Sequence, residues 1–250
     1  MMRSMLVVGC AVLLASAERN VRADEPKAEQ IIEKAIRAHG GQDRLKGLSG
    51  FTYKTRTVYE KGPTWSYEYA FEAPLRYRSC VGTGAEGKIA SIVVVDGNQG
   101  WLKSGAAETT AYPPTFLDTM KKFTIPYLGP RSMLRLLDRQ KNRQCHFSTV
   151  AECTIDGHQA VGVRMKLQDG PQETWYFDKE TGLLLKEESS TRRFESEDIL
   201  YTTTYEDYKT FDGFPMARKI ASYQDGKLTS TRELIEFKVG TPDPAAFAKP

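Results

Sequence analysis

Histidine is scarce in this chain of 250 residues: only His39, His146 and His158 occur. None belongs to a His-Glu-x-x-His pattern, and no Cys-x-x-Cys is present, so the ligand spacings of a zinc site are missing. A Gly-x-Ser-x-Gly nucleophile elbow, a P-loop and a dinucleotide fingerprint are missing too. Asp96-Gly97-Asn98-Gln99-Gly100 lacks the alternating acids and closing glutamate of a calcium loop and reads as a turn before Trp101. The adjacent acids Glu187-Glu188 and Glu206-Asp207 face opposite ways in a strand, so neither makes an acid–base pair. These absences predict a protein that is not an enzyme and needs no metal or organic cofactor.

Charge of one sign is missing as well: 35 lysines and arginines stand against 32 acids. The short basic groups Lys121-Lys122, 139–143 and Arg192-Arg193 are scattered and read as solvated surface. Without a concentrated basic face, nucleic acid is not an expected partner. Long apolar runs are absent apart from residues 5–15, which follow Arg3 and are too short to span a bilayer of about 30 Å. That start reads as an export signal, cleaved after Ala17 or, by preference, after Ala23, so residues 1–23 are expected to be removed. Val7-Val8-Gly9-Cys10 resembles a lipidation box, but the apolar run continues past Cys10 and an anchor there is not expected. Cleavage takes Arg3, Arg19, Arg22 and Glu18 from a chain of net charge +3, which leaves it nearly neutral. It also leaves three cysteines, Cys80, Cys145 and Cys153. If the last two share one strand they are about 27 Å apart, beyond the reach of a bridge. Any internal disulfide would then involve Cys80 or an unseen turn, and three free thiols are equally compatible.

What the chain does have is periodicity. Ala28, Ile31, Ile32, Ala35 and Ile36 repeat at helical spacing, which predicts a helix over 26–39, capped from Asp24 or Glu25 and stopped by Gly40-Gly41. His39, at its end, suits a cation on the helix dipole. Leu45 and Leu48 predict a short second turn. From residue 50 the period changes to two, and strands are expected at 51–59, 65–72, 75–80, 89–95, 147–155, 160–167, 173–177, 183–189, 200–208, 214–223 and 228–239. Asp-Gly recurs at 96–97, 156–157, 169–170, 212–213 and 225–226, each a hairpin signal, so the sheet is expected to be an antiparallel meander. His158, just past one such turn, is expected to be exposed. Residues 113–139 break the pattern. Phe116, Leu117, Met120 and Phe123, then Met133, Leu134 and Leu137, lie at helical intervals around Pro126 and Gly129-Pro130. They predict two short helices inserted mid-sheet. No linker interrupts residues 24–250, which read as one domain.

The segment WSYEYAFE places Trp65, Tyr67, Tyr69 and Phe71 on one face of a strand, with Ser66, Glu68, Ala70 and Glu72 on the other. Burying Glu68 and Glu72 unpaired would cost several kcal/mol, so the aromatics are expected to face inward.

The order of these motifs resembles a known group. A helix ending "AIRAHGGQDRL" is followed by "VDGNQGW", "TIDGHQAVGVRMK", "WYFDKETGLLLKEE" and "YEDYKTFDGFPMARKI", and the chain closes on "AAFAKP". The pattern is similar to the LolA/LolB-like periplasmic carriers and sorting proteins of outer-membrane lipoproteins. The resemblance implies a mainly β fold: a curved, incomplete antiparallel barrel with an N-terminal helix and a helical lid. It also implies an apolar ligand, an acyl chain or lipoprotein, held between sheet and helices. On that reading Trp65, Tyr67, Tyr69 and Phe71 of the sheet and Phe116, Met120 and Met133 of the lid contact ligand. A related domain serves in envelope-stress sensing. The alternative is a structural or sensory protein of the cell envelope, which fills its own cavity and binds a protein partner on an outer face.

Overall fold

The computed structural model describes residues 27–83, 88–141, 145–167, 172–191 and 199–250. The expected export signal at 1–23, the caps at Asp24 and Glu25, the Asp169-Gly170 turn and Arg192-Arg193 lie outside the described residues. A first helix, α1 (Ala28–Ala38), buries the apolar stripe read from the sequence, and α2 (Gln42–Gly47) buries Leu45. At the start of α1 the Lys27 N–H donates to the Gln30 side chain at 2.9 Å, which satisfies one orphan donor of the first turn.

The first wing of the sheet comprises β1 (Gly50–Tyr59), β2 (Thr64–Glu72), β3 (Arg76–Thr83), β4 (Lys88–Asp96), β5 (Gln99–Ser104) and β6 (Thr110–Ala111). The second comprises β7 (Cys145–Ile155), β8 (His158–Leu167), β9 (Gln172–Asp178), β10 (Leu184–Thr191), β11 (Ile199–Phe211), β12 (Phe214–Gln224) and β13 (Lys227–Val239). Each wing is an antiparallel meander. The first strand then pairs with the last, so all 13 strands form one sheet in the order β6-β5-β4-β3-β2-β1-β13-β12-β11-β10-β9-β8-β7. The sheet curves but does not close into a barrel: β6 and β7 are its edges, and the chain between them crosses the concave side.

Turn chemistry sets the register of the hairpins. At Asp156-Gly157, Asp212-Gly213 and Asp225-Gly226 both residues have positive φ, as a two-residue primed turn requires. At 96–97 the turn is shifted by one residue. Asp96 pairs with Gln99, so Gly97-Asn98 is the loop, and Gly97 alone takes positive φ, 59°.

The crossing segment is less regular than two helices. It runs from α3 (Pro114–Thr119) through a wide π turn and two 3-10 turns to α4 (Leu134–Lys141). Pro126 and Pro130 withhold the N–H groups that a continuous helix would need. Gly129, at φ 53°, lies against the Phe51 ring, where an added Cβ would be 3.4 Å from that ring.

The two faces of the sheet differ in chemistry. The convex face carries exposed ion pairs, Lys54–Glu68 at 2.9 Å, Arg56–Glu233 at 2.8 Å and Arg218–Asp207 at 2.6 Å. Pairs of this kind are worth about 0–1 kcal/mol each, so they mark the solvent face more than they hold it. On the same side the 3-10 turn Pro244–Phe247 places Phe247 against Ala70 and Val94. The concave face carries the core. Phe51 sits between Phe71 and Phe237 with ring centroids 5.0 and 5.5 Å away, and joins β2, β1 and β13.

β7 begins two residues earlier than the expected strand, so Cys145 and Cys153 share it, and with Cys80 they are free thiols.

Phe51 is fully buried. Phe51→Ala is expected to cost about 3–5 kcal/mol, whereas Lys54→Ala on the opposite face should cost no more than about 1 kcal/mol. Urea denaturation of the two variants checks this. Equal costs would contradict the assignment of the faces.

Candidate functional site

The cross-strand register builds an aromatic stack on the concave face. Tyr53 of β1 pairs with Tyr69 of β2, and their rings stack at 4.3 Å and 17°. Tyr67 lies parallel to Tyr69 at 6.1 Å, and its hydroxyl is 3.1 Å from that of Tyr59. Burial pushes Tyr69 up to about 12, so its hydroxyl remains protonated at any physiological pH.

The four aromatics of WSYEYAFE share this face, as expected, but the inserted segment covers only one end of their row. Phe71 is 1% exposed, and the Arg131 guanidinium lies 5.2 Å from its ring centre. Tyr69, Tyr67 and Trp65 run outward from it and keep partial access to solvent. Glu68 and Glu72, on the other face, are paired, with Lys54 and Arg76. Arg131 ties the insertion to the body of the protein. It donates to the Pro126 carbonyl at 3.1 Å and to the Leu48 carbonyl at 3.0 Å.

The insertion residues separate. Met133 is 2% exposed and packs in the core. Met120 packs against the core from its margin. Phe116 is 60% exposed, and its ring centroid lies 6.0 Å from that of Tyr112. Helical spacing placed Phe116 on the apolar side, but α3 is only six residues long and buries Leu117 instead. The Phe123 side chain lies outside the described residues.

A cleft of about 220 Å³ opens on the concave face under the 129–133 turn. Its floor is Tyr53 and Thr55 of β1, Leu234 of β13 and Met216 and Ala217 of β12; Pro130 and Met133 roof it, and Tyr205, Tyr208 and His39 close its far side. Of the seven residues expected to contact ligand, only Met133 lines it. Trp65, Tyr67, Tyr69, Phe71, Phe116 and Met120 lie outside its walls. The cleft is centred one strand pair away from WSYEYAFE because β1 pairs with β13, a partnership of the two ends of the domain that no local pattern signals. Tyr53 was visible in the alternation of β1, but its neighbours across the seam were not.

Polar groups also differ from expectation. His39 is buried, and its Nδ1–H donates to the Ala35 carbonyl at 2.8 Å. Burial holds its pKa below the ordinary value, so it is a neutral wall of the cleft, not a cation at a helix end. His158 is exposed as expected, and its Nδ1 lies 2.9 Å from an Asp178 oxygen. Arg139, read as solvated surface, is half-buried and bonds Glu173 at 2.7 Å. Burial works to raise the Glu173 carboxyl, but the Arg139 hydrogen bond and charge win and hold it low. Glu187 and Glu188 do face opposite ways. Glu188 meets Tyr176 and Lys186 on the convex side. Glu187 turns inward toward Tyr205 and is pushed up to about 7, chiefly by burial. Among the described residues no group of three or more His, Cys, Asp or Glu could hold a metal ion, and no helix is long and apolar enough to cross a membrane.

Glu187 makes stability depend on pH in a defined direction. A carboxyl raised from 4.5 to about 7 on folding favours the neutral form. Its contribution is fully present below the unfolded value and is lost as pH rises through the folded one. Glu187→Gln is neutral at every pH. It should therefore gain stability relative to the parent between pH 4.5 and about 7, with a constant difference above that. Urea midpoints of both proteins at pH 5 and pH 8 check this; a difference that does not change with pH would contradict it.

No family model matches the sequence, and no curated protein sequence matches it. Solved structures do resemble it. A LolA superfamily protein from Nitrosomonas europaea superposes with a TM-score of 0.56 at 11% identity, over 90% of this chain and 99% of that one. An outer membrane lipoprotein-sorting protein domain from Vibrio parahaemolyticus, its assignment provisional, gives 0.56 at 13% identity, over 89% and 97%. A DUF1329 family protein from Desulfovibrio piger gives 0.57 at 10% identity, over 88% and 97%. With its single open antiparallel sheet and crossing helical segment, the chain has the LolA-like fold.

Proposed function

We propose that this protein is an exported binding protein that holds an acyl chain or a similar apolar group in the cleft between the concave face and the 129–133 turn. Residues 24–250 would act as one unit after loss of the leader. The observation that carries the reading is the cleft itself: an apolar floor of Leu234, Met216 and Ala217 beneath a roof of Pro130 and Met133. Methionine suits such a wall because its flexible thioether repacks around chains of different shape. The resemblance in fold to a LolA superfamily protein and a lipoprotein-sorting domain supports the same reading.

Size sets a condition. At about 220 Å³ the cleft is smaller than ordinary ligand pockets, which run to roughly 300–1,000 Å³. A long chain therefore enters only in part, or with the 129–133 turn displaced. The aromatic row Tyr69, Tyr67 and Trp65, beside the cleft and partly open, supplies apolar surface for what the cleft does not enclose. No catalytic step belongs to this reading. On the concave face the Glu173 carboxyl is bonded to Arg139.

A second reading, an envelope protein that fills its own cavity, draws on Ile125, Met133 and Leu136 of the crossing segment, which are 0–2% exposed and already occupy much of the space above the sheet. Titration with a fluorescent long-chain alcohol separates the two. The acyl-binding reading expects saturable uptake, and Met216→Trp, which fills the cleft from a partly exposed position, should weaken it by about tenfold or more, the loss of well over 1 kcal/mol of apolar contact. No uptake by the parent protein would leave the self-filled reading in its place.

A further inference from the structure

We infer that the cleft, if it binds as proposed above, selects amphiphiles with an anionic head, and that Arg232 is the residue that receives the head. Arg232 is exposed on β13 and lines the cleft. The register fixes its direction. It pairs with Thr57 of β1 on one side and Ile220 of β12 on the other, in a row that continues to Trp65 and Tyr205. Along β13 the concave residues pass from Phe237, 3% exposed under the insertion, through Leu234 at 5%, to Arg232 in the open. The cation therefore stands where the covered apolar floor ends.

Among the described residues no carboxylate is bonded to Arg232, although Glu206 and Glu233 line a second hollow that also reaches it. The other arginines of the concave side and its cover are engaged: Arg139 with Glu173, Arg131 with two backbone carbonyls, and Arg135 over the Trp175 ring at 5.1 Å. Among the described residues Arg232 has no such partner. Its nearest charged neighbours in sequence and pairing, Glu233 and Arg56, bond each other on the convex face. On the concave side the neighbours of Arg232 include three tyrosines. Its charge acts on Tyr53, Tyr67 and Tyr69, where it opposes the upward shift that burial imposes. The hydroxyls of Thr55 and Thr57, both buried beside it, have no hydrogen-bond partner. Donors without an acceptor, at the end of an apolar floor, match an amphiphile with its chain under the 129–133 turn and a carboxylate or phosphate at Arg232. A guanidinium meets either group with paired N–H donors.

The test compares three fluorescent probes of one chain length: a fatty acid, its alcohol and a monoacyl phosphate. The parent protein should bind the acid, the phosphate or both about tenfold tighter than the alcohol at low salt, the order of one charge-assisted hydrogen bond. Which of the two binds tighter identifies the source of the anion. High salt should compress the preference. R232Q should bring the acid-to-alcohol ratio toward one, and R232K should keep most of it. Equal binding of all three probes by the parent protein, or a preference that survives in R232Q, would overturn the inference and leave the apolar cleft standing. No binding of any probe would overturn the cleft reading, and this inference with it.

Discussion

The pairing of β1 with β13 is the constraint on which the rest of the structure depends. It joins the N-terminal and C-terminal meanders into one surface, and it runs nine residue pairs, from Phe51↔Val239 to Tyr59↔Ser230. Without it there would be two sheets, each with an exposed edge and half of an apolar face. The seam brings Phe51 between Phe71 and Phe237, sets Tyr53 and Thr55 beside Leu234, and stations Arg232 opposite Thr57. One register shift, between Lys54 and Thr55, keeps the apolar and charged faces in phase across the seam. The core, the cleft and the cation at its open end are consequences of the same pairing.

Much of the fold was legible in the sequence because it rests on local rules. Alternation in β1 and β2 and the helical stripe of α1 are properties of ten or so neighbouring residues, and the primed turns need only Asp-Gly. The LolA-like order of these motifs led to the open antiparallel sheet with a helical cover. β5 and β6 escaped notice because β5 sets Trp101 and Leu102 side by side and shows no alternation, and β6 has only two residues. The cover was read as two helices because apolar spacing there is helical, while its prolines impose tighter and wider turns on the same spacing.

The candidate site was less legible, and for a physical reason. A side chain's face is a local property, but what lies across from it depends on pairing over a separation of most of the chain. Trp65, Tyr67, Tyr69 and Phe71 were assigned to the correct face, yet the cleft lies on the other side of β1, where strands from the far end of the chain supply Met216, Leu234 and Arg232. Two charged groups were misread for the same reason. His39 reads as a helix-end cation and Arg139 as solvated surface until the elements packed over them are known, and the opposite facing of Glu187 and Glu188 does not reveal what lies over each. Burial and new partners then make His39 a neutral wall, Arg139 a tie to Glu173 and Glu187 an inward carboxyl raised to about 7.

The central claim is that the concave face beside this seam, under the 129–133 turn, is where an apolar chain binds. Photo-crosslinking with a long-chain probe that bears a diazirine near its tail, followed by peptide mapping, tests the claim most directly. The account predicts labels on residues 129–133 and 215–217 and near Leu234, suppressed by excess unlabelled probe. Competable labels confined to the convex face or to the β7 edge, or no competable label at all, would contradict it.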